Sequence, residues 1–500
     1  MSTRQRGTPI LPFVIEAAKS PMDLTAHAGL TLVLETMLAL GLDEVVEDRL
    51  VLKERRRGAT AFECVSAQVL MLAAGGESVE DIRVLSRDEG LCRLLGRALP
   101  SPDALHRFLQ RFHNEGEMKK RPEKGAWIVP ETKALVQLHE VNAELVRRVG
   151  GRKEHQTATL DLDATIIESH KREALAHYKG GRGYQPTAVV WAEENLAVAD
   201  EYRDGNVPAA MRTLKVAERA FDTLPEGIQE LRFRADSACH DVKLLKWLVE
   251  KKVVFSVSAR MSTELREACV RAADWELYED RPHERVEVAD VEFSSGDWPR
   301  SAAPLRHIAL RFSPKQTSLF TEERSVKYLA VMTNRSLPKS ELIEWHWQKA
   351  GTIEHVHDVT KNDLGGRLPP SALFGANAAF YRMNLITFNV LTALKKLALP
   401  ERFVNARPKR LRYEVFALPA DIREHARETT ARLGAPQTTV EEIILARSRL
   451  SEFRASRSLS LLRLDFGAFP APHPLAMSAF CCKTHDAPCQ RPLWGGRRGR

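Results

Sequence analysis

Three acidic residues stand out by their settings. The first setting is Asp161-Leu-Asp163-Ala-Thr165. Alternation along a strand puts Asp161, Asp163 and Thr165 on one face, so two carboxylates and a hydroxyl project together. Carboxylates on a sheet face are costly unless solvated, paired or bound to a metal, although Ser, Thr and Asp also cluster in turns. The second is Arg232-Phe-Arg-Ala-Asp236-Ser-Ala-Cys-His240. There a strand pattern ends on an acid and passes into a helix, which is where α/β proteins place ligands. The same Asp236 would equally serve as a helix N-cap. In the third, Trp347, Glu354 and Lys361 stand seven apart and fall near one stripe of a helix. A carboxylate followed by a cation suits a metal-and-phosphate site, and the plain alternative is a solvated charged face. Three separated acids are what two-metal phosphoryl chemistry requires, since two Mg²⁺ ions roughly 3.5–4 Å apart must be bridged and flanked by hard oxygen ligands. Spacings of 73 and 118 residues do not bring them together. The fold has to do that.

The elements around them fall into a readable order. Residues 22–114 carry apolar residues at helical spacing through Leu30, Leu34, Met37 and Leu38, and again over 65–74. Ser78-Val-Glu-Asp81 resembles a capping box, and Ser101-Pro102 opens a further helix. From His155 the pattern changes to strands over 156–163, 187–192 and 197–202. A helix over 209–221, a strand over 231–235, a helix around 241–251 and a strand over 253–258 follow. The order β-β-β-α-β-α-β is that of an RNase H-like core with a mixed sheet. Residues 285–334 are strand-like again, and helical periodicity resumes over 337–364 and 372–399. The expected fold is therefore an α/β RNase H-like catalytic core with a β-rich insertion, flanked by all-α N-terminal and C-terminal regions. Its parts are a helical DNA-binding region over 1–150, core over 151–260 and 336–400, and the insertion over 261–335. A basic helical region over 401–463 and an unstructured tail over 464–500 complete it.

Composition narrows the class. The chain has 500 residues and a formal net charge of +8, with 44% hydrophobic and 28% charged residues, which excludes collagen-like, disulfide-scaffold and wholly disordered proteins. Basic and acidic residues balance at 21 each over 1–150 and at 35 each over 151–400. Residues 401–500 carry 18 against 10, so the whole surplus is C-terminal and points to a polyanion held there. The N-terminus shows no signal-peptide pattern, and the longest uncharged apolar run, near 383–394, falls short of the ~20 residues that cross a bilayer. Cys64, Cys92, Cys239 and Cys269 stand singly, as in a reducing cytoplasm. The reading is a soluble protein of the cytoplasm.

Taken in order, several short motifs carry a resemblance. They are Leu160-Asp-Leu-Asp163-Ala-Thr, Tyr202-Arg-Asp-Gly-Asn206, Arg234-Ala-Asp236-Ser, Gly351-Thr-Ile-Glu354, Lys361-Asn-Asp-Leu and Phe374-Gly-Ala-Asn-Ala-Ala-Phe380. Over roughly residues 25–455 the chain resembles bacterial insertion-sequence DDE transposases. The branch is the one with a Tyr–Arg–Glu–Lys signature, and within it the thirteen-eighty group. The resemblance implies Asp163, Asp236 and Glu354 as catalytic acids and metal ligands for two Mg²⁺ ions, with Mn²⁺ as a substitute. Asp161 is the secondary candidate, because the family's acid precedes a Thr by two residues. Glu354 and Lys361 keep the signature spacing, whereas Trp347 stands at the Tyr position and Ala350 at the Arg position, with Lys349 beside it. The implied activity is strand cleavage at element ends followed by strand transfer into target DNA.

The implied partners are double-stranded DNA, both terminal inverted repeats and target, and a second copy of the chain on that DNA, with no membrane. Candidate DNA contacts are Trp347, Lys349, Lys361 and the run Arg407, Lys409, Arg410 and Arg412, joined by Lys53, Arg55, Arg56 and Arg57. Cations of this kind neutralise phosphates and carry little sequence information. Two other readings compete: a catalytically weakened DNA-binding relative acting as a repressor or decaying copy, prompted by Ala350, and a non-transposing RNase H-like nuclease. Cys481, Cys482, His485 and Cys489 lack the paired spacing and scaffold of a structural zinc site. His355 and His357 are two apart, so a helix separates them by ~200°, and they are read as surface residues or as residues standing behind the acids.

Overall fold

Local signals start and stop the N-terminal helices of the computed structural model. Helix α1 spans Thr31–Ala39 and α2 spans Leu42–Arg49, with Gly41 at φ 66° between them. Helix α3, Ala61–Ala74, opens on a reciprocal Thr60–Glu63 capping box and closes on Gly75 at φ 105°. Pro102–Gln110 follows Ser101 as cap, and α4, Lys133–Gly150, is capped by the Thr132 hydroxyl. The structure describes residues 23–465 apart from 53–57, 300–302, 316–325 and 427. The chain divides into two units, residues 1–455 and 456–500. Of the second, the described residues are the last turns of the helix Gln437–Asp465.

Strand β1, Thr157–Ala164, lies within a nine-stranded mixed sheet. It pairs antiparallel with β2, Thr187–Trp191, which pairs antiparallel with β3, Leu196–Glu201. Helix α5, Thr213–Thr223, leads to β4, Glu230–Ala235, parallel to β1. Helix α6, Val242–Glu250, leads to β5, Val254–Ser258, parallel to β4. The core therefore runs β3-β2-β1-β4-β5. Its inner strands are buried on both faces, and β2 and β3 are buried at every residue.

The β-rich insertion extends this sheet. Strands β6, Glu276–Asp280, β7, Glu284–Val291, β8, Arg306–Pro314, and β9, Lys327–Thr333, form an antiparallel run. Strand β9 pairs with β5, Val331 opposite Ser258, so core and insertion share one hydrogen-bonded ladder. Helix α7, Lys339–Trp347, packs on β7, and α8, Ile353–Asn362, packs on β1. Helix α9, Phe374–Leu397, is buried from Phe374 through Lys395, so its polar residues must find partners inside the fold. Two polar pins seat α9. The Asn389 amide exchanges hydrogen bonds with the backbone of Ala197, 2.8 Å each way, and donates to Asn142 Oδ1. The Arg382 guanidinium pairs with Asp200 and Glu131.

The C-terminal region departs from the all-α expectation. Residues Ala420–His425 and Glu428–Leu433 form a hairpin whose first strand pairs with Leu24–Thr25. The cause is legible afterwards: Ala420 and Ile422 alternate inward, and Thr429 and Thr430 are β-branched. A small three-stranded sheet, Ile167–Glu168, Leu175–Ala176 and Arg182–Tyr184, also lies where no strand was expected. No described helix is long and apolar enough to cross a membrane.

Candidate active site

Sheet register assembles the first two acids. In the parallel pair β1–β4, Leu162 stands opposite Ala235. The next residues, Asp163, still paired with Ala188 of β2, and Asp236, just past the end of β4, therefore stand side by side at the carboxyl ends of adjacent strands. The Asp163 carboxylate accepts from the Ala164 N–H at 2.8 Å. Burial pushes its pKa up to about 6, and the neighbouring Asp236 and Glu354 charges add to that, against the Ala164 hydrogen bond and Lys349. Glu354 comes from the first turn of α8 and is largely exposed, as Asp236 partly is. Asp236 and Glu354 both lie close enough to act on the charge of Asp163.

The short turn Gln348–Gly351 between α7 and α8 decides what Lys349 does. It turns Lys349 inward, where its ammonium lies 2.7 Å from Asp236 Oδ1 and 4.0 Å from Glu354 Oε1, while Ala350 faces solvent. The turn is pinned from below. The Thr352 hydroxyl contacts both the Lys349 carbonyl, at 2.9 Å, and the Asp161 carboxylate. Asp161 is fully buried and gripped bidentately by Arg234, at 2.6 and 2.8 Å. Arg234 also donates to the Trp345 carbonyl. Asp161 thus sits beneath the cluster as an anchor for the turn, apart from the Asp163–Asp236 pair. His346 adds a second anchor, with Ser256 Oγ 2.8 Å from its Nδ1 and Ser258 Oγ 2.9 Å from its Nε2, so α7 is tied to β5. Burial holds this imidazole near pKa 3 and therefore neutral.

His357 takes the second of the two places the sequence left open for it, behind the acids. One turn after Glu354 on α8, it is buried with Nε2 4.0 Å from Asp163 Oδ2. Burial, then Lys361, lowers its pKa to about 3, so it is a neutral wall behind Asp163. The signal that finds it is the i, i+3 spacing from Glu354, which puts both on one face. Lys361 is half-buried near Asp163; burial and Lys179 lower its pKa.

The remaining candidates are placed elsewhere. Trp347 packs edge-on against Tyr278 of β6, with centroids 5.2 Å apart and Arg281 over its ring. Arg407 pairs with Asp358 and Asp363, Lys409 with Asp363, and Arg410 with Glu414. Arg412 donates to the carbonyls of Leu72, Ala73 and Asp363. Of this run, expected to grip DNA, Arg412 is held by backbone carbonyls inside the fold, whereas Arg407, Lys409 and Arg410 pair with carboxylates and stay largely exposed at the surface. Lys53, Arg55, Arg56 and Arg57 and the cysteine-bearing tail lie outside the described residues.

Among the described residues no three His, Cys, Asp or Glu side chains form a preformed cation cage. The donor chemistry nevertheless suits a hard divalent ion. Asp163, Asp236 and Glu354 offer only carboxylate oxygens, and a cation, the Lys349 ammonium, already stands at two of them.

The family model described as Transposase DDE domain group 1 matches residues 13–455. No curated protein matches the chain. Solved structures that it is similar to include a piggyBac transposase synaptic complex with hairpin DNA, at 11% identity and TM-score 0.41, covering 88% of this chain and 87% of that one. A Mos1 strand transfer complex matches at 15% identity and TM-score 0.15, over 41% of this chain and 60% of that one.

Proposed function

Because the chain belongs to the transposase DDE domain group 1 family, we propose that it cuts DNA at the ends of a mobile element and joins those ends to target DNA. The reacting centre is Asp163, Asp236 and Glu354. The observation that carries this reading is the convergence of those acids, from two adjacent strand ends and one helix, around a buried lysine. The strand order β3-β2-β1-β4-β5, with β1 and β4 parallel, supports an RNase H-like core. The signature spacing of Glu354 and Lys361 supports the thirteen-eighty group of bacterial insertion sequences, acting in the cytoplasm.

Two divalent ions, Mg²⁺ or Mn²⁺, would be held by Asp163, Asp236 and Glu354. They would activate the attacking water or 3′-hydroxyl and stabilise the leaving oxygen. The chain's own residues do the rest. His357 backs Asp163 at 4.0 Å, and the Arg234–Asp161–Thr352 chain holds the Gln348–Gly351 turn from which α8 brings Glu354. Lys349 neutralises part of the acid charge and so lowers the repulsion that an incoming phosphate meets. Since both reacting ends of an element must be held together, the working form is a homodimer on DNA.

The test is strand cleavage by the purified full chain on DNA carrying its element's ends, with Mg²⁺. Nicking that Asp236→Asn and Glu354→Gln abolish, with end binding retained, supports the reading. End binding by the wild type without nicking would assign the chain to DNA-binding regulation, and nicking without joining to a nuclease.

A further inference from the structure

Beyond Ala164 the chain does not return at once to the core. It first builds the three-stranded sheet Ile167–Glu168, Leu175–Ala176 and Arg182–Tyr184, then enters β2 at Thr187. This hairpin rises from the same strand end that carries Asp163. Its base is anchored: Tyr184 is buried, 5.0 Å from the Tyr202 ring and 6.3 Å from that of Phe374. Gly183 lies so close to Ile167 that a Cβ there would stand 2.1 Å from its carbonyl oxygen.

The tip is equally well tied. The His177 N–H donates to the Gly181 carbonyl at 2.9 Å, and the Gly180 N–H to the His177 carbonyl at 3.0 Å. The buried His177 ring accepts from the Lys179 N–H at 3.3 Å, and Gly180 takes φ 92°. The turn so held presents Tyr178 outward, 75% exposed, with the Lys179 ammonium 5.9 Å from its ring centroid.

The charge around this tip is unspent. Lys171, Arg172, Lys179 and Lys361 form no ion pair with the described residues, unlike Arg407, Lys409 and Arg410. Lys361 connects tip and acids: it lies near enough to Lys179 and to Asp163 for each to act on its charge. A rigid turn thus displays one aromatic ring and unpaired cations at the rim of the acid cluster. Phosphates suit the cations. A flat exposed ring suits a base whose face is bared, which an intact duplex does not offer.

We propose that the hairpin around Tyr178 holds a single-stranded stretch of DNA beside the acids, the ring against a base and Arg172, Lys179 and Lys361 on its phosphates. This rests on the transposase reading, in which strand ends are freed at that place.

The experiment uses the full chain in EDTA with two probes, a short blunt duplex and the same duplex with a single-stranded overhang carrying 2-aminopurine. The wild type is expected to prefer the overhang and to quench its fluorescence. Tyr178→Ala is expected to lose about 5- to 100-fold in overhang affinity with the quench abolished, and Tyr178→Trp to keep both. An Arg172→Gln, Lys179→Gln double variant is expected to lower the salt slope for the overhang by roughly 1.4. An unchanged melting temperature excludes misfolding at so exposed a position. If the wild type binds DNA and Tyr178→Ala binds and quenches as well as it does, the inference is overturned alone. If the wild type binds neither probe, the transposase reading falls and takes the inference with it.

Discussion

Asp163→Asn should stabilise the protein at neutral pH in the absence of metal, while removing cleavage. Burial, with Asp236 and Glu354 adding, raises the Asp163 pKa from 3.8 to about 6. Between those two values the folded state therefore binds more protons at this residue than the unfolded state. The resulting stabilisation is fully present below pH 3.8 and is lost as pH rises through about 6. Above that, the ionised carboxylate costs about 3 kcal/mol relative to an unperturbed one, at 1.36 kcal/mol per unit. Asparagine keeps the shape and an oxygen for the Ala164 N–H but never ionises. In EDTA at pH 8 the Asn variant should gain up to about 3 kcal/mol, a few °C in melting temperature for a chain of this size. At pH 5 linkage leaves about half of that gap. Differential scanning fluorimetry from pH 5 to 8 measures it, and Mg²⁺ should reverse the order by stabilising only the wild type. A variant no more stable than wild type at pH 8, or a gap that ignores pH, would refute the argument that these acids are crowded at the expense of stability.

Other consequences follow from the same geometry. Lys349→Met should lower stability in EDTA by about 1–3 kcal/mol, since a hydrogen bond to a charged group is lost among three acids. Mg²⁺ should raise its melting temperature more than that of the wild type, and equal shifts would exclude Lys349 as a stand-in cation. Arg234→Met should cost about 3–5 kcal/mol by leaving Asp161 charged and unpaired in the interior. Urea unfolding reads that cost, and a loss under 1 kcal/mol would show that Asp161 is not held as an ion. Arg412→Ala should cost about 2 kcal/mol by stranding the Ala73 and Asp363 carbonyls yet leave DNA affinity of the folded protein unchanged; a tenfold loss of affinity would place Arg412 on the DNA surface.

Much of the sheet was legible because burial imposes a period of two. The stretches at 156–163, 231–235, 253–258 and 306–312 alternate or run apolar and became strands. The hairpin Ala420–His425 with Glu428–Leu433 was not legible, because charge-rich residues at mixed spacing fit a solvated helix as well as an exposed ribbon. Its pairing with Leu24–Thr25 is a contact between chain ends that no local pattern carries. The ion-pair partners of the Arg407 to Arg412 run were not legible for a related reason. A cluster of arginines states how much positive charge there is, and not whether carbonyls and carboxylates inside the fold will consume it.

The sequence by itself determined which chemistry was available: three acids, a signature spacing from Glu354 to Lys361, and strands that end on Asp163 and Asp236. Spacings of 73 and 118 residues carry no distance, however, since a flexible chain closes loops of either length at nearly the same entropic cost. The parallel register of β1 and β4 decided that Asp163 and Asp236 are neighbours. The turn at Gln348–Gly351 decided that Lys349, and not Ala350, faces them. Side-chain direction depends on backbone torsion set by packing, and a one-residue difference there exchanges a buried ammonium for an exposed methyl group.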